Sequence, residues 1–334
     1  MLQTLLASQH GHLDTLAQAW LEAGAKTVSI WSEDQLVSRW PLDASPAAAK
    51  LVAPIRIGNR TVAEIRVDGF DNSARQSQLL REAMLVAQLA QYTAELESAK
   101  QVQAGFFPKT MPTLPGIDIF AESRQALEVG GDYYDFIRRT PDSFVVGVGD
   151  VSNKGMSAAL LMAVLRKVVR TGVNVLATPT PQSLMAYINS DMYDEFSQVA
   201  MFATLFVGEF NATKRSLCYA NAGHSPVIYR PRSQRARLVE AINPPIGVLS
   251  APIWHEQTLR MEPGDLLVIA TDGLVETGNY GEEPFGYKRL LALVDQVGEA
   301  PALEITQTIF AELDRFTPNP SHEDDQTLCV MKGV

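Results

Sequence analysis

Four aspartates sit at or beside strongly apolar runs, and a chain that folds those runs into neighbouring strands must bring the carboxylates together. Asp150 closes FVVGVGD, Asp272 closes DLLVIATD, Asp324 opens DDQTLCVM, and Asp132 lies in GGDYYDF. An acidic residue beside glycine ordinarily marks a turn. Here the apolar runs read as buried strands, which places the carboxylates at strand ends where several strands converge. Convergent carboxylates repel one another unless a positive charge holds them. Hard divalent cations such as Mg²⁺ and Mn²⁺ take oxygen ligands, and a paired-metal site needs several carboxylates, one of which can bridge.

The rest of the chain sets bounds on this reading. Its 334 residues, 46% hydrophobic, suffice for one larger and one smaller core. A net charge of −10 argues against nucleic acid or an anionic membrane as partner. Cys218 and Cys329 both lie in apolar strand-like runs and read as buried thiols, which fits a reducing cytoplasm. The amino terminus MLQTLLASQH lacks a basic n-region, and no apolar run reaches the roughly 18 residues of a membrane span, so a soluble, cytoplasmic protein is expected.

Composition divides the chain into residues 1–72, 73–106 and 107–334. In the first part, a helical stretch (Leu13–Ala23) precedes strand-like runs at Thr27–Trp31, Leu36–Trp40, Leu51–Ile57 and Thr61–Val67, with a hairpin turn expected at Gly58–Arg60. From Ser73 to Ala104 there is neither proline nor glycine, so one long helix is expected, ended by Gly105 and the prolines at 108, 112 and 115. Leu85, Leu89, Tyr92, Leu96 and Ala99 recur along it at spacings of four and three. Two readings stand open: a coiled-coil seam that forms a homodimer, or a face packed on the chain's own domain. Beyond it, strand-like runs at Phe144–Val148, Met201–Phe210, Ser216–Asn221, Val227–Arg230, Leu266–Thr271 and Gln326–Met331 accompany helical periodicity at Met156–Arg170, Pro181–Phe196, Tyr287–Val297 and Leu303–Phe316.

The order and wording of the motifs resemble the PPM-type (protein phosphatase 2C-like) metal-dependent serine/threonine phosphatases, in their SpoIIE/RsbU-like bacterial branch. The resemblance covers residues 101–334. It includes EVGGDYYDF (Glu128–Phe136), the strand Ala200–Phe206, YANAGHSPVIYR (Tyr219–Arg230), PPIGV (Pro244–Val248) and EPFGYKRL (Glu283–Leu290). It implies an α+β fold, an α-β-β-α sandwich, with two Mn²⁺ or Mg²⁺ ions. Asp150 would bridge them, Asp132 and the backbone carbonyl of Val151 would complete one ion's sphere, and Asp272 with Asp324 would hold the other. Two such ions supply a nucleophile at neutral pH and neutralise the phosphoryl oxygens. The branch implies a phosphorylated STAS-domain anti-sigma-factor antagonist as substrate in a partner switch, with control entering through the upstream domain. Residues 1–72 resemble an abbreviated GAF domain in strand order and in the phrase APIRIGNRTVAEIRV.

Several further residues carry two readings. Asp325 is a hydrogen-bond acceptor behind the ligands or a turn residue, with Asp324 the ligand by motif register. His224 in NAGHSP reads as structural before it reads as a catalytic acid. Where relatives carry DGHGG, this chain has DVSNKG with Asn153 and Lys154, so the histidine proton donor is absent and water must serve. Arg124 is either a grip for phosphate or a solvated surface arginine. Gly130 and Gly131 either let the backbone approach the metals or form a tight turn. The basic run Arg230–Arg237 is a docking site for acidic partners or a hairpin tip. Two other classes compete: a pseudophosphatase that recruits a signalling partner without turnover, and a nucleotide cyclase, whose signature also begins GGD.

Overall fold

The computed structural model describes residues 10–32, 35–41, 51–57, 60–69, 73–278, 283–317 and 324–334. The chain divides into two compact units, Met1–Ala99 and Lys100–Val334. In the first, helix α1 (His10–Glu22) accompanies strands β1 (Thr27–Ser32), β2 (Gln35–Trp40), β3 (Leu51–Ile57) and β4 (Arg60–Asp68). The strands form one antiparallel sheet in the order β2-β1-β4-β3. Gly58 and Asn59 of the expected hairpin turn lie outside the described residues, as do residues 1–9 and with them most of MLQTLLASQH, but β3 and β4 pair as far as Ile57 opposite Arg60.

Helix α2 (Ser73–Ala104) runs for 32 residues, as its lack of proline and glycine requires. Leu79, Ala83, Val86 and Ala87, at helical spacing, are buried with Trp20 of α1 and Ile30, Ile55 and Ile65 of the sheet. The row singled out in the sequence is a different one. Leu85 and Tyr92 are 64% and 65% exposed and Leu89 is 38% exposed, so those residues do not form the face that covers this unit's sheet.

The second unit has four layers. Strands β6 (Asp132–Thr140), β7 (Ser143–Val151), β8 (Ala203–Asn211), β9 (Ser216–Ala222) and β12 (Gln257–Arg260) form one antiparallel sheet in the order β12-β9-β8-β7-β6. Strands β5 (Ile117–Arg124), β10 (Val227–Arg230), β11 (Arg237–Val239), β13 (Leu266–Ala270) and β14 (Gln326–Gly333) form the other, in the order β11-β10-β13-β14-β5. Side chains alternate across each strand. Tyr134, Val146 and Phe206 point between the sheets to meet Ile269, Cys329 and Met331. Tyr133, Val145 and Leu205 point the other way, onto Leu165 and Ile188 of helices α3 (Met156–Val175) and α4 (Pro181–Gln198). On the far side, Val268 and Val330 meet Leu290 and Ile309 of α6 (Gly286–Val297) and α7 (Ala302–Phe316).

Both faces of the central strands are therefore covered, which is why FVVGV and LLVIA read as unbroken apolar runs although the sheets are antiparallel. This is the α+β, α-β-β-α arrangement expected. Local signals set the ends of α4: the Thr180 hydroxyl accepts from Ser183 N while Ser183 Oγ accepts from Thr180 N, and Pro181 follows the cap. Asp272 stands just past a strand end: β13 stops at Ala270, one residue short of the expected Thr271, and Asp272 opens the short helix α5 (Asp272–Glu276). One expectation changes. Cys218, paired with Thr258 of the short edge strand β12 at the rim of its sheet, is half-buried rather than buried; Cys329 is fully buried. Among the described residues no helix is long and apolar enough to cross a membrane.

Candidate metal centre

Asp132 and Asp150 are direct partners across the antiparallel β6–β7 pair. Like charges so placed destabilise a sheet, their Cβ atoms being about 5 Å apart. Asp132 is almost fully buried, and that burial, followed by the charges of Asp150 and Asp325, raises its pKa well above the ordinary 3.8. Asp150 is raised to about 7, by burial first and then by Asp272, Asp324 and Asp325. Gly131 explains how the Val151 carbonyl reaches the same place: a Cβ on Gly131 would lie 2.6 Å from the Val151 oxygen and 3.4 Å from Asp150 Oδ1. At Gly130 a Cβ would overlap the Asp325 carboxylate. Neither glycine has a positive φ, so close approach, not turn geometry, is what excludes a side chain here.

The other carboxylates arrive from the second sheet. Asp272 follows β13 and Asp324 precedes β14; burial first, and then the charge of Asp324, raise the pKa of Asp272. Lys154 places its Nζ 2.9 Å from Asp324 Oδ2, so a cation already sits against this carboxylate. Asp325 is held differently. Its Oδ1 accepts from Ala126 N at 2.8 Å, and its Oδ2 accepts from Gly131 N at 2.8 Å and Asp132 N at 3.4 Å. Both oxygens are thus engaged by backbone donors, the arrangement of an acceptor behind the ligands. Thr271, which the sequence reading missed, donates from Oγ1 to Asp132 Oδ2 at 2.9 Å and accepts from Thr327 N at 2.9 Å. Glu276 on α5 was missed as well; burial and then Asp272 and Asp324 push its pKa up. As the side chains stand, no three His, Cys, Asp or Glu among the described residues close around a single point. The donor set, all hard oxygens, with the pKa values of Asp132, Asp150 and Asp272 raised and a lysine as counter-charge, nevertheless fits Mg²⁺ or Mn²⁺.

Residues 140–333 match the family model described as Stage II sporulation protein E (SpoIIE). The chain belongs to the SpoIIE family. It is 28% identical over 261 residues to Protein IcfG of Synechocystis sp., covering 71% of this chain but only 41% of IcfG. It is 27% identical over 247 residues to Phosphoserine phosphatase RsbU of Bacillus subtilis, covering 72% of this chain and 70% of RsbU. In fold it matches the SiaA-PP2C domain of Pseudomonas aeruginosa, with a TM-score of 0.67 at 19% identity over 74% of this chain and 99% of that domain.

Within this SpoIIE-family unit the remaining candidates have partners and surroundings of their own. Buried His224 has Nδ1 3.0 Å from Thr204 Oγ1, and its backbone N donates to Asn221 Oδ1. Burial lowers its pKa to about 4, so it holds no spare proton at neutral pH. Arg124 is committed elsewhere: it donates to Glu122 and to both oxygens of Asp314, and stacks 4.0 Å over the Phe310 ring. Asn153 is an exposed turn residue with φ 71, a conformation asparagine tolerates. The basic run is a β10–β11 hairpin, but Arg230 at its start is buried against Glu299 and Asp295. Asp135, three residues past Asp132, was also unforeseen. Fully buried, it takes two hydrogen bonds from Arg170 at 2.5 and 3.0 Å and ties β6 to α3.

Proposed function

We propose that this chain is a protein serine/threonine phosphatase that uses two divalent cations, Mn²⁺ or Mg²⁺. What carries the reading is the pairing of Asp132 with Asp150 across β6–β7, with the Val151 carbonyl drawn against Gly131. Asp150, Asp132 and the Val151 carbonyl would hold one ion, and Asp150 with Asp272 and Asp324 would hold the other. Bound there, the cations would lower the pKa of a water and neutralise the phosphoryl oxygens. The chain's own part is to hold the ligands. Thr271 orients Asp132, Asp325 fixes the backbone of Gly131, and Lys154 balances charge until Asp324 is taken up. Ser152 stands where DGHGG relatives carry histidine, its Oγ accepting from Phe202 N, and His224 is neutral, so water is left as the proton donor.

The substrate we propose is a phosphoserine or phosphothreonine on a STAS-domain protein of a partner-switching pathway. The likeness to a phosphoserine phosphatase, RsbU, supports it. Control through residues 1–72 and α2, and a homodimer formed on the Leu85–Ala99 row of that helix, belong to the same proposal. The test is hydrolysis of p-nitrophenyl phosphate, and then of the host's phosphorylated STAS proteins, with Mn²⁺ or Mg²⁺ and with chelator. Metal-dependent turnover of both is expected. No turnover of either substrate would favour the binding-module reading, and turnover of p-nitrophenyl phosphate alone would refute the substrate class.

A further inference from the structure

The geometry points to Gln103 as a positioning residue for Asp132, an inference that rests on the metal-site reading above. Gln103 lies in the last turn of α2, within the second unit, and is only 4% exposed. A buried glutamine needs partners for its amide, and this one spends it on the backbone of a single residue. Its Nε2 donates to Gly130 O at 2.8 Å, and its Oε1 accepts from Gly130 N at 3.0 Å. Gln125 Nε2 donates to the same Oε1 at 2.6 Å and fixes the amide's orientation.

The consequence lies two residues on. Gly130 leads through Gly131 into Asp132, the first residue of β6. With no Cβ at either glycine, that backbone depends on its hydrogen bonds and close neighbours for its position. Four hydrogen bonds hold it: two from Gln103 at Gly130, one from Gly131 N to the Asp325 carboxylate, and one from Val151 N to Gly131 O at 3.3 Å. Asp325 and Val151 belong to the cluster itself. Gln103 is the one support that comes from outside it, from the end of a long helix, so the strand carrying Asp132 is placed in part by α2. Partners that orient metal ligands in this indirect way are commonly worth ten- to a hundredfold in affinity.

The test is Mn²⁺ titration by calorimetry on the full chain, with kinetics on p-nitrophenyl phosphate at saturating Mn²⁺. Gln103→Met keeps length and apolar volume but loses both bonds. Gln103→Glu keeps an acceptor for Gly130 N and sets an oxygen against Gly130 O. In both we expect the Mn²⁺ dissociation constant to rise about tenfold, and kcat to fall while KM holds, because Gln103 does not touch substrate. Thr306→Val is the control, removing a buried hydrogen bond that Thr306 makes only to Ala302 within α7; it should lower the melting temperature and leave Mn²⁺ affinity alone. Should the Gln103 variants fail to fold, Gln125→Leu frees the amide without touching Gly130, and a rise of roughly threefold is expected, one hydrogen bond's worth. Variants that melt lower but bind Mn²⁺ as the wild type does would make Gln103 a merely structural residue and overturn the inference. A wild type that binds no Mn²⁺ would instead remove the metal-site reading, and this inference with it.

Discussion

Asp150→Asn should make the metal-free protein more stable while destroying its metal binding, and the structure sets the size of the effect. Asp150 carries a pKa of about 7 against an ordinary 3.8, because it is buried and faces Asp272, Asp324 and Asp325. A folded-state pKa raised this far means that the folded protein holds the proton more tightly than the unfolded chain. The associated stability is fully present below pH 3.8 and is lost as pH climbs through about 7. The displacement is worth about 4 kcal/mol above that window, or a melting shift on the order of 10 °C for a unit of this size. Asparagine is nearly isosteric and has no charge to lose. In chelator, then, the variant and the wild type should melt together near pH 4 and diverge progressively to pH 8, the variant higher. Added Mn²⁺ should raise the wild type by the usual mass-action term and leave the variant unmoved. Melting curves in EDTA and in Mn²⁺ at pH 4, 5, 6, 7 and 8 decide it. A variant less stable than wild type at pH 8 in EDTA, or a difference that does not change with pH, would refute the electrostatic account.

Other perturbations test the supports of the site. Thr271→Val keeps the side chain's shape but removes the donor to Asp132 and the acceptor for Thr327 N. A cost of about 1–3 kcal/mol and a metal affinity weaker by about tenfold are expected; calorimetry showing unchanged affinity would remove Thr271 from the site. Gly131→Ala forces a methyl to 2.6 Å from the Val151 carbonyl and should abolish Mn²⁺-dependent hydrolysis at a stability cost of about 1–3 kcal/mol. Gly278→Ala, where the nearest atom to the new Cβ is 3.4 Å away, should retain hydrolysis and so serve as the comparison. Replacing Leu89 and Leu96 of α2 with glutamate should convert a dimer to monomers in light scattering; a variant of unchanged mass would show that this row is not the dimer seam.

Much of the sandwich was legible because its central strands are covered on both faces. Continuous apolar runs such as FVVGV and LLVIA leave no choice of inner face, and their flanking aspartates had nowhere to go but the rim. What escaped the sequence reading depends on partners far away in the chain. Strand β5 reads IDIFAESR, alternating and polar, and becomes a strand only because β14 pairs with it along its whole length. Thr271 looks like an ordinary cap residue until β6 brings Asp132 within 2.9 Å of it, 139 positions away in sequence. Gln103 sits among helix formers, and nothing in AKQVQAG separates it from its neighbours. On α2 the sequence left two readings of the Leu85–Ala99 row open, because two apolar rows share that helix and periodicity alone cannot say which one covers the sheet.

The same placement explains why the carboxylates come from two sheets. Asp132 and Asp150 belong to β6 and β7 of one sheet, while Asp272 and Asp324 flank β13 and β14 of the other. At this rim the sheets are already joined by Thr271 donating to Asp132 and by Asp325 accepting from Gly131 N. Cations bound among the four aspartates would therefore act as staples across the sandwich as well as reagents. Binding at a hundred times the dissociation constant adds about 2.7 kcal/mol, comparable to what the buried charge on Asp150 costs. On that reading, metal occupancy would be coupled to the position of β6, which carries Asp132.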